Sequence, residues 1–527
     1  MSSTAPRKAL TIDNINPHVK EAKYAVRGEL AIKSEEYRAQ LRKLKDEPPT
    51  PPSDKSLPFD TVISANIGNP QQLDQKPITF FRQVLSLLEN PQLLEHENVL
   101  LESLGYKQDV IDRAKFLQKE IGSVGAYSQS TGVPAIRKSV AKYIEKRDGF
   151  PADFNNIYLS AGASSGVNTL MNVICASDKV GILVPIPQYP LYTATLSLLN
   201  ARCCPYYLDE ANGWGTNMEA IKSAYEEAKS NGTDVRAIVI INPGNPTGAS
   251  LPRSDIETIV KFAAENQLVI MADEVYQTNV FIGEFVSFKQ VLRELQRDNP
   301  GSNGNDGPYE HVELASLHSI SKGMVGECGH RGGYFELVNF DKKVADQIYK
   351  FISIMLCPPV IGQCCVELMI NPPKEGEPSW ELYKQEYTNI GDGLKKRASA
   401  LYEAFKQMEG VTVGEPQVCY LFQSSSPQSS WLSTPQLTIR LIQGAMYLFP
   451  QIKLPEKAIN AAKEKGKNPD DFYCLELLDA TGICVVPGSG FGQKEDTLHF
   501  RTTFLAPGTE WVGRITKFHG EFMDRYR

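Results

Sequence analysis

Between residues 150 and 340, short β-branched runs alternate with stretches of helical period. That alternation restricts this part of the chain to a doubly wound α/β domain with a mostly parallel sheet. The runs are Ile157–Ser160, Val180–Val184, Ala237–Ile241, Leu268–Ala272 and Glu313–Leu317. Helical patterns fall between them at about 166–176, 191–199, 216–229 and 254–266. In such a domain the chemistry collects at the carboxyl ends of the strands, so the turns after each run are where site residues are expected.

The chain has 527 residues, enough for two or three domains with large cores. We expect an N-terminal arm and linker over 1–64, a large domain over 65–365 and a smaller α+β domain over 366–527. Pro48–Pro52 reads as a stiff spacer and Asn299–Pro308 as a surface loop. The 55 basic residues against 62 acidic ones give a net charge of −7, which argues against a nucleic-acid partner. No apolar stretch approaches the roughly 18 residues needed to span a bilayer, and none near Met1 forms a secretion signal. Ten cysteines without a Cys-x-x-Cys pair, and histidines without metal-ligand spacing, make a disulfide framework or a zinc site unexpected. Reduced, mostly buried thiols are the expectation. Arg7 and Lys8 precede any acid, but Asp13, Glu21 and Glu29 interrupt an amphipathic presequence. That favours the cytoplasm over the mitochondrial matrix.

The strand-end turns carry unusual residues. Ile157–Ser160 is followed by Ala161-Gly162-Ala163-Ser164-Ser165-Gly166, small residues opening a helix, which suits a phosphate or simply a tight turn. Ala237–Ile241 is followed by Asn242-Pro243-Gly244-Asn245-Pro246-Thr247-Gly248. After Leu268–Ala272 comes Asp273-Glu274-Val275-Tyr276, a carboxylate at the end of a buried strand, placed either for chemistry or as a cap. After Glu313–Leu317 come Ser319-Ile320-Ser321-Lys322 and then Arg331-Gly332-Gly333-Tyr334. Gly488–Gly492 lacks the spacing of a dinucleotide loop and reads as a turn.

In order and spacing, Asn-Pro-x-Asn-Pro-Thr-Gly, Asp-Glu-x-Tyr and Ser-x-Ser-Lys with its later Arg resemble the fold-type-I pyridoxal-phosphate-dependent aminotransferases. The likeness runs from about Ala65 to the C-terminus. Asn66–Pro70, Gly125–Ser128, Pro187–Tyr192, Gly326–Gly329 and Val486–Gly492 are similar to the alanine branch of that class-I family.

The resemblance implies pyridoxal 5′-phosphate as cofactor and assigns the site residue by residue. Lys322 is the Schiff-base lysine. Asp273 pairs with the pyridine nitrogen and keeps it protonated. Tyr276 and Asn245 bond the ring oxygen, and Tyr189 stacks on the ring. Ala163, Ser164, Ser319 and Arg331 hold the phosphate. Tyr127 matches a tyrosine that reaches the phosphate of a neighbouring subunit, which implies a homodimer. Arg501 matches the arginine that binds the substrate carboxylate, with Gly68 and Asn245 completing the clamp. No metal is expected. The implied reaction is ping-pong: L-alanine gives pyruvate, and 2-oxoglutarate is then converted to L-glutamate, with Lys322 shuttling the α-proton. The alternatives are a relative with another amino-acid preference, or a non-catalytic regulator on the same scaffold; regulators of that kind would be expected to lose the lysine or the aspartate.

One stretch departs from the pattern. Pro416-Gln417 and Gly444–Pro450 match a motif that is unbroken in the family, but here 26 residues, 418–443, separate its halves. They bring no residue type that the reaction needs. Val418-Cys419 can be encoded by a hexamer common at fungal splice donors, and Gln443 by an acceptor triplet. The segment is either a functional lid or, as we expect, a translated intron, apolar in part, that could displace the strand starting at Gly444.

Overall fold

The computed structural model describes residues 9–24, 28–46, 57–280, 284–302, 306–414 and 445–527. The spacer at 48–52 and the insert at 418–443 lie outside them.

Seven strands form the central sheet: β1 (Ile157–Ser160), β2 (Val180–Ile186), β3 (Arg202–Tyr207), β4 (Asp234–Ile241), β5 (Val269–Asp273), β6 (Leu314–Ser319) and β7 (Gly333–Val338). Their spatial order is β1-β7-β6-β5-β4-β2-β3. Only β7 runs against its neighbours, pairing antiparallel with both β1 and β6. The carboxyl ends of β1, β4, β5 and β6 therefore share one edge of the sheet. The five expected runs all form strands. β3 and β7 were not among them: β3 alternates exposed and buried residues, and β7 follows the glycine-rich turn that the sequence reading treated as part of a site.

The period of two along each strand divides the core. Ile238, Ile240, Ile270, Ala272 and Leu314 pack on one face against Met218–Ser230, Arg253–Asn266 and Phe288–Asp298. Ala237, Val239, Met271, Ala315 and Leu317 pack on the other, against Ala163–Ile174, Leu191–Leu198 and Lys342–Ile354. Helices on both faces leave the strand ends as the open edge.

A second core gathers Leu394, Leu401, Phe405, Met446, Leu448, Leu477, Phe500 and Phe518, and Val275, Tyr276 and Met324 reach into it from the central sheet's side. Tyr447–Leu448 and Val486–Pro487 flank Phe500–Thr503 in an antiparallel ribbon. The expected displacement of the strand after the insert is thus not observed. Ala445–Leu448 is buried, and Tyr447 and Leu448 pair with Thr503 and Thr502.

The polar N-terminal stretch contains a helix the sequence reading did not anticipate, Glu29–Asp46. Leu30 is buried in the second core, Tyr37 donates to Asp479 at 2.8 Å, and Ile63–Ser64 pairs in parallel with Ile483–Cys484. The helix Val360–Ile370 crosses the proposed boundary at 365 and buries Val366 and Leu368 with the helices Thr79–Glu89 and Pro134–Asp148. We therefore move that proposed boundary to the turn that follows Ile370. No helix among the described residues is long and apolar enough to cross a membrane.

Candidate active site

At the end of β5, Asp273 is buried. Its Oδ2 accepts the Tyr192 hydroxyl at 2.7 Å, and its Oδ1 accepts the Val275 amide at 3.4 Å. Burial holds its carboxyl above the usual range, against the pull of those two bonds and of the Lys322 charge. Lys322 follows β6 by three residues, and its Nζ donates to the Gly68 carbonyl at 2.8 Å. It stands 6.0 Å from the centre of the Tyr276 ring. The Tyr276 hydroxyl is buried and makes no well-formed hydrogen bond among the described residues.

Arg501 comes from the ribbon strand Phe500–Thr503, whose Phe500 packs in the second core, and only 1% of the arginine is exposed. Its Nη1 donates to Asn245 Oδ1 at 3.0 Å and its Nη2 to the Asn66 carbonyl at 2.6 Å. Its Nε, equally buried, has no partner. An arginine taken wholly out of water with a donor unspent is an arrangement that an incoming carboxylate completes.

The third element is an anion cradle. Ala163 opens the helix Ala163–Ile174, whose first amides have no partner within the helix. Gly162 before it has φ +85°, and a Cβ there would come 2.6 Å from Arg331 Nη2. Arg331, itself left-handed at φ +54°, turns its guanidinium back to the Ala161 carbonyl at 2.8 Å and the Ser321 hydroxyl at 3.3 Å. The Ser319 hydroxyl accepts the Ser321 amide at 3.1 Å and donates to the Gly332 carbonyl at 3.2 Å. Ser164 stays exposed at the helix end. The exposed Ser164 hydroxyl, the first amides of the helix and a forked cation make a donor set for phosphate.

Tyr189 is partly buried, and its hydroxyl pairs with that of Tyr24 at 2.6 Å. Burial and that contact raise its phenol. Tyr127 joins none of this: it is 80% exposed.

The sequence reading missed four contributors. Tyr192, the partner of Asp273, lies inside a quoted motif, but one tyrosine on an apolar helix carries no signal of its neighbour. Tyr447 lies in the motif split by the insert; its ring faces Arg501, 4.0 Å from the guanidinium carbon. The Asn66 carbonyl and Tyr24 were not visible as site groups at all.

The described donors fit pyridoxal 5′-phosphate. The cradle offers phosphate donors, Asp273 offers a buried carboxylate for a ring nitrogen, Tyr276 a buried hydroxyl beside that of Tyr447, and Lys322 an amine. Residues 97–511 match the family model of aminotransferase class I and II, and the chain belongs to that family. It is 49% identical, over 99% of its length and 82% of the relative's, to a Saccharomyces cerevisiae protein named alanine aminotransferase, mitochondrial. It is 44% identical, over 99% of its length and 96% of the relative's, to a protein of the same yeast named inactive alanine aminotransferase. Among solved structures, an alanine aminotransferase from Pyrococcus furiosus superposes with a TM-score of 0.67 over 96% of this chain and 100% of that one, at 21% identity. The family's chemistry is pyridoxal-phosphate-dependent transamination, and the chain is an enzyme of that class.

Proposed function

We propose that the chain transfers the amino group of L-alanine to 2-oxoglutarate, giving pyruvate and L-glutamate. The observation that supports this reading is that Lys322 and Asp273 stand at the strand ends of the central sheet while the buried Arg501, with its free Nε, reaches Asn245 at the same edge from its own ribbon. Likeness alone does not separate an active relative from one named inactive. The lysine and aspartate that a non-catalytic descendant would be expected to lose are both present, which supports the active reading.

In this reading Arg501, with Asn245 and the Gly68 backbone, binds the α-carboxylate shared by both amino acids and both keto acids. Arg331, Ser319, Ser164 and the Ala163 amide hold the phosphate. Tyr276 and Asn245 bond the ring oxygen, Tyr189 covers the ring face, and Asp273 keeps the ring nitrogen charged. Bound pyridoxal phosphate supplies an electron-withdrawing ring that accepts the pair released when the α-proton leaves. Lys322 takes that proton from one atom and returns it to another. General acid–base work of this kind typically contributes about 10²–10⁴-fold.

A homodimer belongs to the same proposal. Tyr127 is turned out to solvent, and Ile354, Met355 and Leu356 are 72%, 77% and 53% exposed. Sedimentation of the purified protein as a monomer would remove that part. The compartment is the cytoplasm or the mitochondrial matrix, the organelle in the yeast relative's name, and a fluorescent fusion decides between them.

The central test is borohydride reduction of the purified yellow protein followed by peptide mapping. The reduced cofactor is expected on Lys322. Rates with alanine, aspartate and phenylalanine then fix the amino donor, and alanine is expected to lead.

A further inference from the structure

Tyr447 has no role in the reading above, yet it stands at its centre. Tyr447–Leu448 pairs antiparallel with Phe500–Thr503, setting Tyr447 opposite Thr503 and on the strand beside Arg501. The Arg501 guanidinium carbon lies 4.0 Å from the Tyr447 ring centre, closer than the 4.6 Å to Phe491. At its other end the phenol meets the lysine. A Cβ on Gly68 would strike the Tyr447 hydroxyl and come 2.8 Å from Lys322 Nζ, so both polar atoms converge on the space that only glycine leaves open. Tyr276 packs edge-on against Tyr447 with ring centres 6.3 Å apart.

One rigid ring thus touches the carboxylate-binding cation with its face and the proton-carrying amine with its hydroxyl. A phenylalanine would stack on the guanidinium as well. Only a phenol reaches the lysine. Burial pushes the Tyr447 phenol up, but the Lys322 and Arg501 cations outweigh it and hold it below its ordinary value. Tyr276 also faces it, with Asp273 beyond Tyr276, and Tyr189 lies on another side.

We propose that Tyr447 is a positioning residue for transamination: its ring sets the plane of Arg501, and its hydroxyl holds the Lys322 amine at a fixed separation from the bound carboxylate. This rests on the roles given above to Lys322 and Arg501. Substrates are anchored at one end of the ring and deprotonated at the other, so the phenol acts as a spacer between binding and chemistry.

The two halves of the role separate by substitution. Tyr447→Phe keeps the stack and loses the hydroxyl: KM for alanine and 2-oxoglutarate should stay within about twofold while kcat falls about tenfold or more. The isotope effect with alanine deuterated at the α-carbon should rise, because proton transfer becomes more limiting. Tyr447→Leu loses both halves, and both KM values should also climb about tenfold. A readout without cofactor uses the stripped enzyme. The ultraviolet tyrosinate titration of wild type minus Tyr447→Phe should contain one phenol ionising below the ordinary value of about 10, and Lys322→Ala should raise it. A kcat for Tyr447→Phe within about twofold of wild type with an unchanged isotope effect overturns the proposal; so does a difference titration at or above the ordinary value. If Tyr447→Phe does not fold, wild type against Lys322→Ala decides by the same titration. If the wild type transaminates nothing, the assignment of the site fails, and the titration still decides the contact.

Discussion

The Tyr192 hydroxyl donates to Asp273 Oδ2 at 2.7 Å, and both groups are buried at the end of β5. The bond pulls the carboxyl down while burial raises it, and burial wins. A ring nitrogen would therefore meet a carboxylate whose charge depends on Tyr192. Asp273→Asn removes that charge, and alanine turnover should fall by several kcal/mol in barrier while amino-acid binding changes much less. A loss of no more than about tenfold, roughly 1.4 kcal/mol, would give the aspartate another task. Tyr192→Phe should be milder, with the acid limb of the kcat profile moved to higher pH because the carboxyl ionises later.

Lys322→Ala should abolish transamination and leave the circular dichroism of the fold unchanged. The phosphate donors at Ala163, Ser319 and Arg331 do not depend on the lysine, so the stripped variant should still take up cofactor. Near-normal turnover in this variant would sink the mechanism.

Arg501→Lys keeps the charge and loses the fork. Binding of alanine and of 2-oxoglutarate should weaken together, by the about 1.5–3 kcal/mol of a hydrogen bond to a charged group. KM values for both substrates check it. Weakening of only one would mean that Arg501 serves a side chain and not the carboxylate that all four reactants share.

Much of this candidate site was legible because its residues sit at strand ends or in the turns directly after them. Asp273, Lys322 and the Gly162–Ala163 helix start each fall within three residues of a strand end, so a strand pattern already locates them. Arg501 was readable only through resemblance, since it arrives from a ribbon more than 200 residues downstream of β5. Tyr192 and Tyr447 were not readable: each acts through a contact set by packing, and a tyrosine on an apolar element looks the same with or without a polar partner. β7 escaped because the glycine-rich turn before it obscured the start of an antiparallel strand.

Deleting 418–443 should preserve alanine turnover and raise solubility. The ribbon that carries Tyr447 is paired on the far side of that segment, and each functional group named here lies outside it. Solubility and kcat of the deletion protein, with the sequence of its spliced messenger, check the expectation. Loss of activity, or the 26 codons retained in the dominant message of an active enzyme, would show the segment to be genuine.

Beneath Asp273, two buried groups titrate with opposite effects on stability. Glu274 accepts the Ser316 hydroxyl at 2.6 Å and the Phe288 amide at 2.9 Å, and burial lifts it from 4.5 to about 7. His318 is pushed from 6.5 down to about 3, first by burial and then by the Arg147 charge. Between pH 4.5 and 7 the folded state holds the Glu274 proton more tightly than the unfolded chain does, so this carboxyl adds stability as pH falls. His318 does the reverse: its neutral form is favoured in the fold, and stability is lost as pH drops below 6.5. The two slopes oppose each other where they overlap. Glu274→Gln removes the carboxyl slope that opposes the histidine, so the variant should lose stability toward acid more steeply than wild type. The difference between the two proteins should change by about 3 kcal/mol from pH 8 to 4.5, at 1.36 kcal/mol per unit. Asp273 and Glu336, also raised, are common to both and cancel in that difference. Urea denaturation at a series of pH values measures it, and parallel profiles for the two proteins would show that Glu274 does not titrate in this range.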